Sequence, residues 1–438
     1  MHADVVVVGG GYAGLWTAWA VAAAEPDARV VVLEASTCGA GPSGRNAGFL
    51  NGFWHRSHLL CEHFGDAEAR EICVRAAESV RAIGAWAESE GIDISYRRDG
   101  HLKVATSAAQ DGAWDEAVAA CARMGFQDEC AELDAAAVRR RCASPLFRGG
   151  IWMPGGATVH PARLALGLRS ALIARGVAIF ERTRARRLGP RAGGGVVVET
   201  HAGARVSAPA AVLAINQATG AIRPLRSRFA VSATHMIVTE PVPDVLAELG
   251  WTGGEAISTA RRYLYYFRTT ADGRIAFGGA GRLAYGARFG GRVELDPAAV
   301  LELRAEIARM FPALGDRRID AAWGGPIDVS PIHIPIIGSL AGDRVHYVCG
   351  FTGNGVGPAH LSGRILADLA LDRRTNLTRL ALVGADQPRV PPEPLRYLGG
   401  NAVRAALLRR EAREDRGRSG GVLGELAIEV PRRLGIHL

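Results

Sequence analysis

The chain has 438 residues, 48% of them hydrophobic, which is enough for two globular domains and too apolar for a disordered segment. Its formal net charge of +8 comes almost wholly from arginine, since Lys103 is the only lysine. The arginines are scattered, with no dense basic block interleaved with aromatics, so nucleic-acid binding is not expected.

The opening residues carry the densest pattern. Residues 4–8 are a continuous, mostly β-branched apolar run, as expected of a strand buried on both faces. Gly9, Gly11 and Gly14 then fit G-x-G-x-x-G, and an alanine-rich helix follows over residues 15–24. A second apolar run, 29–33, ends in Glu34 and Ala35. In such a βαβ unit Gly9 makes the tight turn, Gly11 admits a pyrophosphate and Gly14 lets helix and strand approach. The N–H groups of Tyr12 and Ala13 sit at the positive end of the helix dipole, and Glu34 stands where a carboxylate takes a ribose diol.

Next comes a loop rich in small residues, with Ser43, Gly44, Arg45, Asn46, Ala47 and Gly48, placed to pass close to the same ligand, with Arg45 facing a pyrophosphate. Residues 62–88 read as one helix closed by Gly91, 100–106 as a strand, and 113–124 and 134–142 as helices. Residues 162–174 form a helix after Val159-His160-Pro161, and 177–180 begin a strand. Runs 196–200 and 206–215 suggest a small meander that returns to the first sheet. The stretch 231–277 is β-rich and holds Tyr263, Tyr265, Tyr266 and Phe267. A helix over 297–311 is followed by Trp323-Gly324-Gly325-Pro326, two apolar runs, and a strand at 345–348.

That strand leads into Gly350, Gly353, Asn354, Gly355 and Val356 and a helix over 358–371. A second glycine-rich strand-to-helix junction favours FAD over NAD, because another helix N-terminus can face the flavin. Beyond the proline-rich break at 388–394, residues 397–416 read as a basic amphipathic helix, docked on the domain, on a partner subunit, or at a membrane surface.

The seven cysteines (38, 61, 73, 121, 130, 142 and 349) include no C-x-x-C and no zinc spacing, so they read as small buried residues of a reducing compartment. No metal site is expected. The first strand starts too early to leave room for a leader, and no stretch of about 20 apolar residues occurs. The expectation is a cytoplasmic protein without a transmembrane segment.

The opening unit, the Ser-Gly-Arg-Asn-Ala-Gly loop, Val159-His160-Pro161 and the Gly353-Asn354-Gly355 junction occur in one order over residues 1 to about 375. That order resembles the D-amino-acid oxidase superfamily of FAD enzymes, with glycine and sarcosine oxidases as relatives. The loop is closest to the γ-glutamylputrescine oxidase branch. The resemblance implies an α/β fold: a Rossmann-type FAD-binding domain (residues 1–85, 150–225 and 330–375) interleaved with a β-rich, α+β substrate domain (86–149 and 226–329), plus a helical C-terminal extension (388–438). It places the backbone of Ala185 at the adenine and Ala214 near the pyrophosphate. Two departures stand out. No arginine occupies the 324–328 strand where amino-acid oxidases hold a substrate carboxylate, and no counterpart of the covalent flavin cysteine is found, so non-covalent FAD is expected.

The implied chemistry is oxidation of a C–N bond in a small-molecule amine or amino acid to an imine, with O2 as acceptor and H2O2 as product. Substrate-side candidates are His333, Tyr263, Tyr265 and Asp328. The plainer readings are sheet packing for the tyrosines and a structural role for His333, which falls where relatives carry an acidic residue. Arg261, Arg262 and Arg282 are further anion-binding candidates. Two alternatives stay open: an FAD-dependent dehydrogenase passing electrons to a quinone or carrier at the membrane surface, and a non-enzymatic assembly subunit. Homo-oligomerisation through the C-terminal extension is the accompanying expectation.

Overall fold

The computed structural model describes residues 1–437 except 288, 289, 341 and 343. Its organising layer is a six-stranded sheet, in the order Ile336–Leu340, Val345–Cys349, Ala210–Leu213, Val5–Val8, Val30–Leu33, Ala178–Phe180. All neighbours in it run parallel except the first pair. The four inner strands are buried at every position; three of them are unbroken Val, Leu and Ala runs, as a sheet covered on both faces requires, and Val345–Cys349 adds a buried His346 and Tyr347.

One cover is a pair of helices, Tyr12–Ala24 and Val356–Ala370. They meet closely at Gly363, where an added Cβ would lie 2.6 Å from Cβ of Trp16. Trp16 is fully buried there, edge-on to Trp86 at 5.0 Å and to His360 at 4.8 Å. The other cover includes the three-stranded meander Ala185–Pro190, Val196–Thr200 and Arg205–Ala208. Pro209 separates the last of these strands from Ala210–Leu213, so residues 206–215 form two elements.

The second layer is an eight-stranded sheet that begins at its edge with Ile319–Val329, on Ala230–Thr239, on Ile275–Leu283. Its far side reaches His101–Val104 and Gly150–Met153. Gly150–Met153 therefore lies in the large sheet, although the boundaries read from the sequence put residue 150 with the first domain. The strand expected at 324–328 is longer, Ile319–Val329, and includes Trp323. The helix read over 62–88 is two helices, Ser57–Phe64 and Asp66–Ser89, broken at Gly65 with φ +79°.

The tail folds back as a helical hairpin, Leu395–Glu414 and Val422–Arg433; the sequence reading expects a helical extension but delimits only the first of the two helices. Buried Arg261 of the large-sheet unit anchors it through Glu411 at 3.3 Å and Asp415 at 3.0 Å. Among the described residues, no helix is long and apolar enough to cross a membrane. Among the same residues, no group of His, Cys, Asp and Glu could hold a metal ion.

Candidate active site

A single cavity of 1480 Å³ runs from the end of the opening strand, between the two sheets, to the C-terminal hairpin. At its narrow end the backbone is shaped by glycine. Gly9 sits at φ +114°, and a Cβ there would lie 2.3 Å from the Ala214 carbonyl oxygen. At Gly14 a Cβ would lie 1.9 Å from the Gly9 carbonyl oxygen, so this glycine sets the helix on the strand. Gly11 is the helix N-cap, and the first turn carries no acidic side chain, which leaves the positive dipole end uncompensated. Ser43 Oγ accepts the Tyr12 N–H at 2.9 Å. The Glu34 carboxylate accepts the Gly10 and Ser36 N–H groups, each at 2.7 Å, and borders the cavity.

The cavity wall includes Gly9, Gly11, Tyr12, Ala13, Glu34, Ala35, Ser43, Arg45, Asn46, Ala47, Ala185, Ala214, Gly353, Asn354, Gly355 and Val356. Gly14, Gly44, Gly48 and Gly350 stand behind it. Gly44 and Gly48 permit close backbone packing, since a Cβ would come within 2.4 Å of the Gly39 and 2.0 Å of the Val159 carbonyl oxygen. Two side chains differ from expectation. Arg45 pairs with Glu294 at 3.0 Å and donates to the Ala40 carbonyl, bridging the loop to the large-sheet unit rather than pointing solely at a phosphate. Asn46 folds onto its own loop, donating to the Pro42 and Ser43 carbonyls and accepting the Gly48 N–H.

The length of this cradle suits a dinucleotide with a second aromatic end. It extends from Arg184–Leu188, past the opening helix, to the N-terminus of the Val356–Ala370 helix. Asn216, at φ +47°, lies on the wall between them, and its buried Oδ1 has no hydrogen-bond partner among the described residues. That orphaned acceptor and the glycine cradle fit FAD.

The turn before the second helix is held from the large sheet. Asp328 is fully buried, and its carboxylate accepts the Gly350 N–H at 2.6 Å and the Phe351 N–H at 3.2 Å. Burial pushes its carboxyl up to about 6 against the pull of these bonds. Asp328 thus borders the cavity but serves the backbone of the turn. His333 also borders it, at φ +58°; burial, then neighbouring Arg56 and His437, push its imidazole down to about 3. Tyr263 reaches the cavity with the Arg404 guanidinium over its ring at 5.5 Å. Tyr265 does not: it is buried in the core of the large-sheet unit, stacked on Phe277 at 5.7 Å, its hydroxyl bonded to Glu302. Of the arginines, Arg262 borders the cavity, while Arg261 and Arg282 are engaged with carboxylates.

The wide end holds residues the sequence reading missed. Phe49, Tyr266 and His101 form an aromatic floor, with ring centroids 5.5–6.0 Å apart. The two nitrogens of His101 are engaged by Asn51 and Ser258, and burial pushes the ring down to about 3. Burial also holds His55 well below its ordinary value. Arg56 donates to the carbonyls of His333 and Thr352 and pairs with no carboxylate among the described residues. Lys103, near Arg56 but outside the cavity lining, also forms no ion pair among the described residues, and burial with repulsion from Arg56 draws it down to about 8. Val403 and Leu407 of the first tail helix and Val430 and Ile436 beyond it complete the wall. No local sequence signal marks these residues, because the aromatic floor and the Arg56 contacts form only where distant segments meet.

Known proteins of similar sequence and structure agree with a glycine-shaped cradle that fits FAD. Residues 4–369 match the family model described as FAD dependent oxidoreductase. A probable oxidoreductase OrdL of Rhizobium meliloti is 30% identical over 93% of this chain and 90% of its own length. The gamma-glutamylputrescine oxidoreductase of Escherichia coli is 32% identical over 89% of each chain. The glycine oxidase structure from Geobacillus kaustophilus superposes with a TM-score of 0.70 at 22% identity, over 86% of this chain and 96% of that one. With the cradle built for FAD and the match spanning most of its length, the chain belongs to the DAO family of FAD-dependent oxidoreductases.

Proposed function

We propose that the protein oxidises the C–N bond of an amine or amino acid to an imine, which water then hydrolyses to a carbonyl product. The observation that carries this reading is the chamber at the end of the cradle: neutral His55, His101 and His333 surround it, and the Arg56 charge is not neutralised by a carboxylate. Non-covalent FAD, which Gly9, Gly11, Glu34 and the turn at Gly353–Gly355 would hold, would supply the two-electron redox chemistry: acceptance of a hydride from the carbon that bears nitrogen, with O2 as final acceptor and H2O2 as product.

The chain's own residues set the protonation state of the substrate. A cationic amine entering beside Arg56 meets like charge in a poorly solvated space, which lowers its pKa and favours the neutral form. The neutral amine has the free lone pair that hydride loss needs, so no side-chain base is required. The same Arg56 guanidinium suits a carboxylate elsewhere on the substrate, which favours an amino acid or an amine carrying an acidic group. Tyr263 and the ring of His333 shape the entry and do not move protons. The names of relatives agree: one acts on gamma-glutamylputrescine, and a second is a sarcosine oxidase subunit. No cysteine lines the cavity among the described residues, which supports non-covalent FAD. The setting is taken to be the cytoplasm.

The test is anaerobic reduction of the bound flavin by a panel of amines and amino acids, followed by admission of air. Bleaching by an amine with stoichiometric peroxide on reoxidation supports the proposal. Bleaching without peroxide, with reoxidation only by a quinone, favours a dehydrogenase.

A further inference from the structure

The second tail helix, Val422–Arg433, is turned inside out for a surface helix of a water-soluble protein. Its inward face is small: Gly424, Ala427 and Pro431 are buried, and a Cβ on Gly424 would lie 3.0 Å from Arg410. Its large apolar side chains point outward. Leu423, Leu426 and Val430, with Val422 beside them and Leu434 at the end, follow helical spacing and are 50–77% exposed. Leu395, itself 64% exposed, Val430 and Leu434 also border the cavity, so this apolar face runs into the cavity mouth.

The charge around it is of one sign. Every carboxylate of the hairpin is taken up in an ion pair: Glu411 and Asp415 by Arg261, Glu414 and Glu425 by Arg410, and Glu429 by Arg433. Arg409, Arg413, Arg416, Arg418 and Arg432 are exposed and form no ion pair among the described residues. Arg413 donates to the Ser419 carbonyl, so it lies with Arg416 and Arg418 at the turn that leads into Val422, whereas Arg432 lies at the opposite end. The apolar stripe is thus flanked by arginine at both ends.

We propose that this helix docks the protein on the surface of an anionic lipid bilayer, with the cavity mouth facing the lipid. Leucine and valine side chains enter the headgroup boundary while long arginine side chains reach phosphate and carboxylate headgroups. A second copy of the chain is a poorer fit. A two-fold contact centred on an antiparallel pair of these helices sets Arg432 of one copy against Arg416 and Arg418 of the other.

The test is co-sedimentation of the flavin-loaded full chain with vesicles of pure phosphatidylcholine and of phosphatidylcholine with phosphatidylglycerol, at low and high salt. Binding to the anionic vesicles only, weakened at high salt, is expected. It falls at least tenfold in Leu423→Gln/Leu426→Gln and, separately, in Arg416→Gln/Arg418→Gln. These side chains are exposed and outside the cavity, so both variants keep the wild-type flavin spectrum and melting temperature, which confirms that they are folded. Absence of binding to anionic vesicles, or binding that both variants retain, overturns the proposal. So does a dimer seen by light scattering that Leu423→Gln/Leu426→Gln dissolves, since that assigns the face to a second copy.

Discussion

The Asp328 carboxylate accepts the Gly350 N–H at 2.6 Å, tying the end of a large-sheet strand to the turn that aims the Val356–Ala370 helix into the cavity. Asp328 lies in the large sheet and Gly350 directly follows a strand of the six-stranded one, so the geometry of this cavity-side turn depends on how the sheets are docked. Replacing Asp328 with Ala leaves two buried N–H groups unpaired and is expected to destabilise the protein by ~2–4 kcal/mol and to lower FAD occupancy. Thermal melting and the flavin-to-protein absorbance ratio check both.

The same carboxyl makes a pH prediction. Its folded pKa, about 6, lies above the ordinary value of 3.8, so the folded state binds the proton more tightly than the unfolded state does. Its contribution is therefore most favourable below about pH 4 and is lost as pH rises to about 6, a change of order 3 kcal/mol. Denaturant titrations of wild type and Asp328→Asn between pH 4 and 7 are expected to differ in slope, with the variant losing less stability as pH rises. Parallel profiles would refute this.

Glu34 carries both the Gly10 and Ser36 N–H groups and stands on the cavity wall. Glu34→Ala is expected to weaken FAD binding by roughly 10–100-fold, the worth of one or two charge-assisted bonds. Gly11→Ala places a methyl 2.9 Å from Ser43 Oγ and should weaken binding as well, while Gly41→Ala, with nothing within 4 Å, should not. Fluorescence titration of the apoprotein with FAD separates the three.

Arg261 is enclosed by Glu306, Glu411 and Asp415. Removing it as Arg261→Met strands buried carboxylates and is expected to cost about 3–5 kcal/mol locally. The hairpin should then detach before the rest of the chain unfolds, because its hold on the domain is what is lost. Limited trypsin digestion is expected to cut after Arg416 and Arg418 much faster in the variant, with little change elsewhere.

Arg56 reaches two carbonyls and no carboxylate. Arg56→Met is expected to raise KM for an acidic amine at least tenfold, more than for a neutral amine of similar size. Equal losses for both substrates would mean that Arg56 acts only by holding the His333 and Thr352 turns. Steady-state kinetics with matched substrates decide this.

The opening βαβ unit was legible because each part leaves a local mark: glycine where φ is positive or a Cβ would clash, and valine where both faces are covered. Tyr265 was misplaced for a local reason too. Alternation implies that Tyr263 and Tyr265 share a face, but the strand begins only at Tyr266, and Tyr263 lies in a bend before it. Arg56 carried no sequence signal, because its partners lie 277 and 296 residues away. The tail was read as a basic helix without its role as cavity wall, since that role depends on Arg261, 150 residues from Glu411. The sequence points to a helical extension but does not mark off its second helix, because Gly417, Gly420, Gly421 and Pro431 interrupt the helical spacing.

The central claim is that FAD held in this cavity is reduced by an amine substrate. The most direct measurement is the visible spectrum of the purified protein, taken anaerobically before and after each compound of an amine and amino-acid panel. The account predicts a yellow protein whose flavin band bleaches with an amine carrying an acidic group, and whose flavin stays in the supernatant after acid precipitation. A protein that takes up FAD but is bleached by none of the amines, while an alcohol or thiol bleaches it, would contradict the account.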